Sequence, residues 1–209
     1  MLADCGVHCL GLPLRLPVNK EDITEDEARE IIAETRDKIL PVCITYLNTA
    51  TEIATFCTEL NIQHVQLHGE IDLAELAKLT EIAPALYIIK SLVVHSNGSN
   101  RDALHSMVKE TAPYVDAFIT DTHNPETGAD GATGLTHDWN ISAELVKRSP
   151  RPVILAGGLT PENVAQAIAA VRPAGVDAHT GVENDTGRKD RDLVCAFAKE
   201  ARKAFAALR

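Results

Sequence analysis

Short apolar runs alternate along the chain with longer amphipathic ones. The first run covers residues 7–14 and reads as a strand. Thr24, with Glu27 three residues later, is a capping-box signature and opens a helix. A second strand is predicted over 39–47, its start restricted by Pro41. Asn48 and Thr49 are placed to cap the next helix, which sets Ile53, Ala54, Cys57 and Leu60 on one face. His64-Val-Gln-Leu-His-Gly69 forms the third strand, and a helix with Leu73, Leu76, Ala77 and Leu79 available for the core follows. Further on, the pattern predicts a strand at 86–94, a helix at 100–114, a strand at 116–122 and a Gly-, Asn-, Asp- and Pro-rich loop at 123–135. A helix at 138–149 and a buried strand at 152–158 come next. The helix after them has Pro161 at its first position, where the missing N–H costs nothing, and ends near Arg172-Pro173. The last strand is predicted at 175–181. The closing helix spans 190–208, with apolar positions at 193, 194, 197, 198, 201 and 205.

Strands that alternate with helices build βαβ units and a parallel sheet. Two α/β folds fit: a (β/α)8 barrel of the TIM type, with only seven strands evident, and a doubly wound open sheet. The open sheet calls for a glycine-rich turn after its first strand, and none is present. Glycines and polar residues cluster after the late strands, where a barrel binds phosphate. No linker or low-complexity tract divides the chain, so residues 1–209 are read as a single domain.

Composition narrows the function classes. With 45% apolar residues the 209-residue chain can bury a sizeable core. Its net charge of −10 disfavours nucleic acid as a partner while leaving room for a local anion site. No apolar run is long enough to cross a bilayer and no signal peptide opens the chain. A cytoplasmic location without membrane contact is therefore expected. In that compartment the five cysteines (Cys5, Cys9, Cys43, Cys57 and Cys195) are expected to be free thiols. Their spacing does not suggest a zinc site, and no metal is expected.

The late strand ends carry the most informative chemistry. Leu155-Ala-Gly-Gly-Leu-Thr-Pro-Glu-Asn163 puts paired glycines between a buried strand and a helix. There, backbone N–H groups without Cβ atoms beside them can approach an anion. Val176-Asp-Ala-His-Thr-Gly-Val-Glu183 supplies another glycine at the next strand end. Gly157, Gly158, Thr180 and Gly181 are thus candidates for a phosphate cradle. The alternative is that these glycines only make tight turns.

The same segments resemble phosphoribosylanthranilate isomerase. The resemblance is carried by Leu155-Ala-Gly-Gly-Leu-Thr-Pro-Glu-Asn-Val164, Val171-Arg-Pro-Ala-Gly-Val-Asp177, Thr180-Gly-Val-Glu183 and Lys189-Asp190. Val65-Gln-Leu-His-Gly69, Ile119-Thr-Asp-Thr122 and Gly131-Ala-Thr-Gly-Leu-Thr-His-Asp-Trp139 agree with that family's fourth strand, sixth strand and following loop. The resemblance implies a (β/α)8 barrel of tryptophan biosynthesis that needs no cofactor and performs an Amadori rearrangement on a phosphoribosyl-amine. It implies Asp121 as the acid that protonates the ribose ring oxygen. A raised pKa, produced by burial, would suit that role. Gln66, His68 and Asp177 match substrate-side positions.

The chain also departs from the family. The family's base is a cysteine on its first strand. Here Ala3-Asp-Cys-Gly-Val-His-Cys-Leu-Gly-Leu12 matches the end of the family's first helix and its second strand. On that register a βα unit of about twenty residues, with the base, is expected to be absent upstream, and Cys5 is not expected to replace it. The family's arginine that holds the anthranilate carboxylate aligns with Glu21, with Arg15 as the nearby substitute. The family's Ser-Ser is His179-Thr180 here, which makes His179 a candidate base or anion contact. The expected activity is therefore that of a phosphoribosylanthranilate isomerase-like enzyme acting on a small phosphosugar, with a homodimer as the candidate assembly. Two other readings remain open: a non-catalytic relative that binds a phosphorylated ligand, and a phosphosugar isomerase or epimerase with another substrate.

Overall fold

The computed structural model describes residues 1–16, 23–95, 97–123 and 136–208. Glu21 and residues 124–135, including the glycine-rich segment before Thr136, lie outside the described residues. The chain divides into two compact units, His8–Ser91 with Glu110–Ala117, and Met1–Val7 with Leu92–Lys109 and Phe118–Arg209.

The first unit contains β1 (Cys9–Pro13), α1 (Glu25–Thr35), β2 (Leu40–Thr45), α2 (Ala50–Glu59), β3 (His64–Leu67) and α3 (Leu73–Ile82), and most of β4 (Tyr87–His95). Each strand pairs with the next in parallel, Cys9 opposite Leu40, Cys43 opposite Val65 and His64 opposite Tyr87. The chain that returns to β4 is fastened by Asp116, whose N–H donates to the Ile88 carbonyl while its carboxylate accepts from the Ile88 N–H, both at 2.8 Å.

The expected capping box opens α1, with Thr24 and Glu27 bonded reciprocally. At α2 the cap comes from elsewhere. Thr49 makes no capping bond of its own, and the Ala50 N–H instead donates to Glu75 of α3 at 2.6 Å. Leu73, expected in the core, stands at the first position of α3 and is 41% exposed. Phe56, fully buried, takes a larger share of the core than the predicted α2 face allowed.

The second unit contains most of α4 (Arg101–Thr111) and of β5 (Ala117–His123), and α5 (Trp139–Arg148), β6 (Val153–Leu155), α6 (Val164–Val171), β7 (Gly175–Val176) and α7 (Arg191–Ala207). Its strands are again parallel in chain order. In both units the order follows the chain. The core joins Leu155, Leu159, Val164, Ile168, Val182 and Phe197 across β6, α6 and α7.

Three boundaries differ from the predicted ones. The helix expected over 100–114 ends at Thr111 and passes into a 3-10 turn at Ala112–Tyr114, where Pro113 has no N–H for the helical ladder. Helix α6 starts at Val164, so Pro161 lies in the turn before it. Asn163 closes that turn, accepting from the Thr160 N–H at 2.8 Å and donating to the Gly158 carbonyl at 2.9 Å. The last strand stops at Val176, and Thr180–Val182 curls into a 3-10 helix that packs Gly181 against the Leu159 carbonyl.

The expectation of five free thiols is corrected as well. A 3-10 helix at Ala3–Cys5 packs on α7 and brings Cys5 to Cys195 with a Cα separation of 4.6 Å, within the range a disulfide spans, and the two are bonded. Spacing in sequence cannot reveal a pair 190 residues apart. Cys9, Cys43 and Cys57 are not part of a disulfide. Burial pushes the Cys43 thiol up and that of Cys57 to about 12, so neither is a nucleophile at neutral pH. No helix among the described residues is long and apolar enough to cross a membrane.

Candidate active site

Asp121 lies near the C-terminal end of β5, the position at which a parallel barrel presents its chemistry. The N–H of Thr122 donates to its Oδ1 at 2.8 Å and fixes the carboxyl's orientation. Asp121 shares the walls of one concavity, about 310 Å³, with Gly157, Gly158, Asp177, His179, Thr180 and Gly181. Seven predicted site residues are thus brought together at the ends of β5, β6 and β7.

The glycines are required by geometry. Gly157 and Gly158 both adopt positive φ, +96° and +60°. A Cβ on Gly157 would collide with the Thr122 hydroxyl, and one on Gly181 with the Leu159 backbone carbonyl. Backbone is the less forgiving obstacle. Gly181→Ala is therefore expected to displace the Thr180–Val182 turn and weaken inorganic phosphate binding at least tenfold by calorimetry, with the helices of the protein retained by circular dichroism.

Charge in the pocket is arranged in layers. Glu183 accepts from Lys189 Nζ at 2.5 Å and lies 3.2 Å from His179 Nδ1, while Lys189 also donates to the His179 carbonyl at 3.0 Å. Asp177 opens onto the water of the concavity with protein mass packed around it. That enclosure raises its carboxyl above the usual range, against the opposing pull of His179 and Lys189. A carboxyl that protonates more readily repels an incoming phosphate less.

Behind the pocket lies a residue whose role sequence reasoning missed. His137 is buried between the Thr122 and Ser142 hydroxyls, and burial holds its pKa down at about 4, against a small opposing effect of Asp138. The unfolded ring titrates near its ordinary 6.5, so between those values the unfolded chain binds the extra proton. Stability present above pH 6.5 is accordingly lost as pH falls toward 4, by roughly 3 kcal/mol. Urea titrations across that window are expected to show this loss in the wild type and a shallower one in His137→Phe.

In the first unit, Gln66 of β3 and His68 just beyond its end meet at one hydroxyl. Gln66 Nε2 donates to Ser91 Oγ at 3.1 Å, and His68 Nδ1 lies 3.0 Å from the same oxygen. The His68 ring also packs on Tyr46, with centroids 5.0 Å apart. Next to Ser91, the buried Lys90 ammonium donates to the Leu67, Gly69 and Ser91 carbonyls and so closes the turn after β3. Burial lowers its pKa to about 8. The signal available for it was a lone lysine inside an apolar strand run. Arg15 is engaged elsewhere: it pairs with Glu25 at 2.8 Å and Glu59 at 3.7 Å and stacks over Phe56. Among the described residues no cluster of His, Cys, Asp and Glu could hold a metal.

Comparison with known proteins settles the family. The family model described as N-(5'-phosphoribosyl)anthranilate (PRA) isomerase matches residues 11–200. The chain belongs to that family. It is 40% identical to N-(5'-phosphoribosyl)anthranilate isomerase 2 of Methanosarcina mazei over 206 residues, covering 98% of this chain and 89% of the relative. It is 34% identical to the Haloferax volcanii isomerase, covering 97% and 87%. The solved phosphoribosylanthranilate isomerase of Thermotoga maritima superposes with a TM-score of 0.79 at 30% identity, covering 97% of this chain and 91% of that one. A solved isomerase in complex with reduced 1-(o-carboxyphenylamino)-1-deoxyribulose 5-phosphate matches with a TM-score of 0.77 at 27% identity, again over 97% and 91%. The fold is of the (β/α)8-barrel type, with seven strands among the described residues.

Proposed function

We propose that this chain isomerises N-(5'-phosphoribosyl)anthranilate to 1-(o-carboxyphenylamino)-1-deoxyribulose 5-phosphate, as a step of tryptophan biosynthesis in the cytoplasm. The observation that carries the reading is the single concavity in which the Asp121 carboxyl faces the Gly157–Gly158 and Thr180–Gly181 turns. A phosphate in the glycine turns leaves the sugar within reach of an acid on the neighbouring strand. Asp121 gives its proton to the ring oxygen as the C1–O bond breaks, and the amine nitrogen lone pair forms the C1=N iminium. Loss of the C2 proton then yields an enolamine, which tautomerises to the ketone.

His179 is the imidazole on the pocket wall and the candidate to accept the C2 proton or to contact the phosphate. Its Nδ1 lies 3.2 Å from a Glu183 carboxylate oxygen, which favours a charged ring there. His179→Ala is expected to lower kcat/KM at least tenfold in steady-state kinetics. Unchanged turnover removes both roles. A substrate carboxylate would have to draw Arg15 from Glu25 and Glu59.

Rescue of a tryptophan auxotroph that lacks the isomerase, together with turnover of phosphoribosylanthranilate by the purified chain, tests the reading. A folded, soluble chain that neither rescues nor turns over the substrate would overturn it. The isomerase of Thermotoga maritima is dimeric, and one of its solved structures is of monomers generated from that dimer. A homodimer belongs to the same proposal, and light scattering in solution checks it.

A further inference from the structure

We propose that His137 is a positioning residue that locks the acid side and the phosphate side of this pocket into one frame, acting through Thr122. The inference rests on the function proposed above.

Thr122 stands between the two sides. Its N–H donates to Asp121 Oδ1 at 2.8 Å. Its hydroxyl packs so closely on Gly157 that no Cβ fits there, and a Cβ would also come within 3.3 Å of His137 Nδ1. One residue thus touches the carboxyl that gives the proton and the glycine turn that receives the anion. The same hydroxyl bonds His137 Nδ1 at 2.9 Å, and His137 Nε2 bonds Ser142 Oγ on α5 at 2.5 Å. Thr122 and Ser142 are fully buried and His137 is 6% exposed. Helix α5 therefore holds Thr122 in place from behind, through an imidazole.

The chemistry of the link explains why an imidazole suits it. A neutral ring has one N–H and one lone pair, on opposite edges, so it donates to one hydroxyl and accepts from the other. An aromatic hydrocarbon of the same size fills the space and leaves two buried hydroxyls without that partner. A buried polar chain of this kind fixes a unique arrangement of the groups it joins, at a desolvation cost that an apolar core avoids. Here the groups joined are the two working sides of one pocket.

Steady-state kinetics with phosphoribosylanthranilate decides the matter. Wild type, T122V, H137F, S142A, H137Q and the double variant T122V/H137F are compared on the full chain, at a temperature where circular dichroism shows each folded. T122V and H137F are each expected to lower kcat/KM between ten- and a hundredfold. Both parameters move, kcat falling and KM rising, because acid and cradle are released together. The double variant is expected to lose no more than the worse single one, since both cut the same chain. H137Q, whose amide keeps a donor and an acceptor, is expected to recover part of the loss, and S142A to show a smaller one. If H137F fails to fold, T122V against the wild type carries the comparison. Folded variants that turn over within twofold of wild type, or losses that simply multiply in the double variant, overturn the inference and leave the proposed function standing. A wild type with no turnover overturns the proposed function and the inference with it.

Discussion

Asp121→Asn is expected to lower kcat for phosphoribosylanthranilate by a factor of about 10² to 10⁴, the usual contribution of a positioned general acid. The change is small in every other respect. Asparagine keeps an oxygen to accept from the Thr122 N–H, so the side chain stays where it is. It adds no volume to the concavity, and the glycine turns that face it are untouched. KM should therefore move little, and thermal unfolding should superpose on that of the wild type. Complementation of the auxotroph should fail in parallel. A variant that turns over at the wild-type rate would show that the ring oxygen receives its proton from another group, with Asp177 the next carboxyl on the same wall.

The second large effect concerns stability. Cys5 and Cys195 close a loop with a sequence separation of 190 residues. In the chain-entropy account a cross-link over a loop of this length restricts the unfolded chain enough to stabilise the fold by about 5 kcal/mol. Cys195→Ser is expected to lose most of that, read as a shift of the urea midpoint without reductant. Cys5→Ser should match it, and the double variant should lose no more than either. Dithiothreitol should bring the wild type down to the variants and leave the variants where they were. A wild type whose midpoint ignores the reductant would show that the two sulfurs are not bonded in solution.

Most of the fold was legible because its signals are local. The Thr24–Glu27 box lies within a few residues of the backbone it serves, and the helix starts read near 138 and 190 are where Asp138 and Asp190 bond the first turn. The strand runs are apolar because a parallel sheet is covered on both faces. The glycine turns at the ends of β6 and β7 were legible for a related reason, since glycines at strand ends announce a backbone that side chains would obstruct.

What escaped was decided by tertiary approach. Glu75 caps a helix 25 residues before it. Lys90 looks like a misplaced charge until the carbonyls of the β3 turn close around it. His137 reads as one more polar residue before a helix start, and its two hydroxyl partners come from a strand and a helix on either side of it. The cysteine pair was misjudged because compartment and spacing were the available guides. The bond depends instead on a short N-terminal turn packing against the last helix.

That bond also changes what a broken chain means. With its ends tied at Cys5 and Cys195, the polypeptide between them is a covalent ring. A protease that cuts once anywhere in that ring opens it without releasing a fragment, and both new ends stay tethered to the same core. Two cuts, or one cut and a reductant, are needed before any piece can diffuse away. A single cut within the ring would thus show as two bands on a reducing gel and one on a non-reducing gel, from molecules that never came apart.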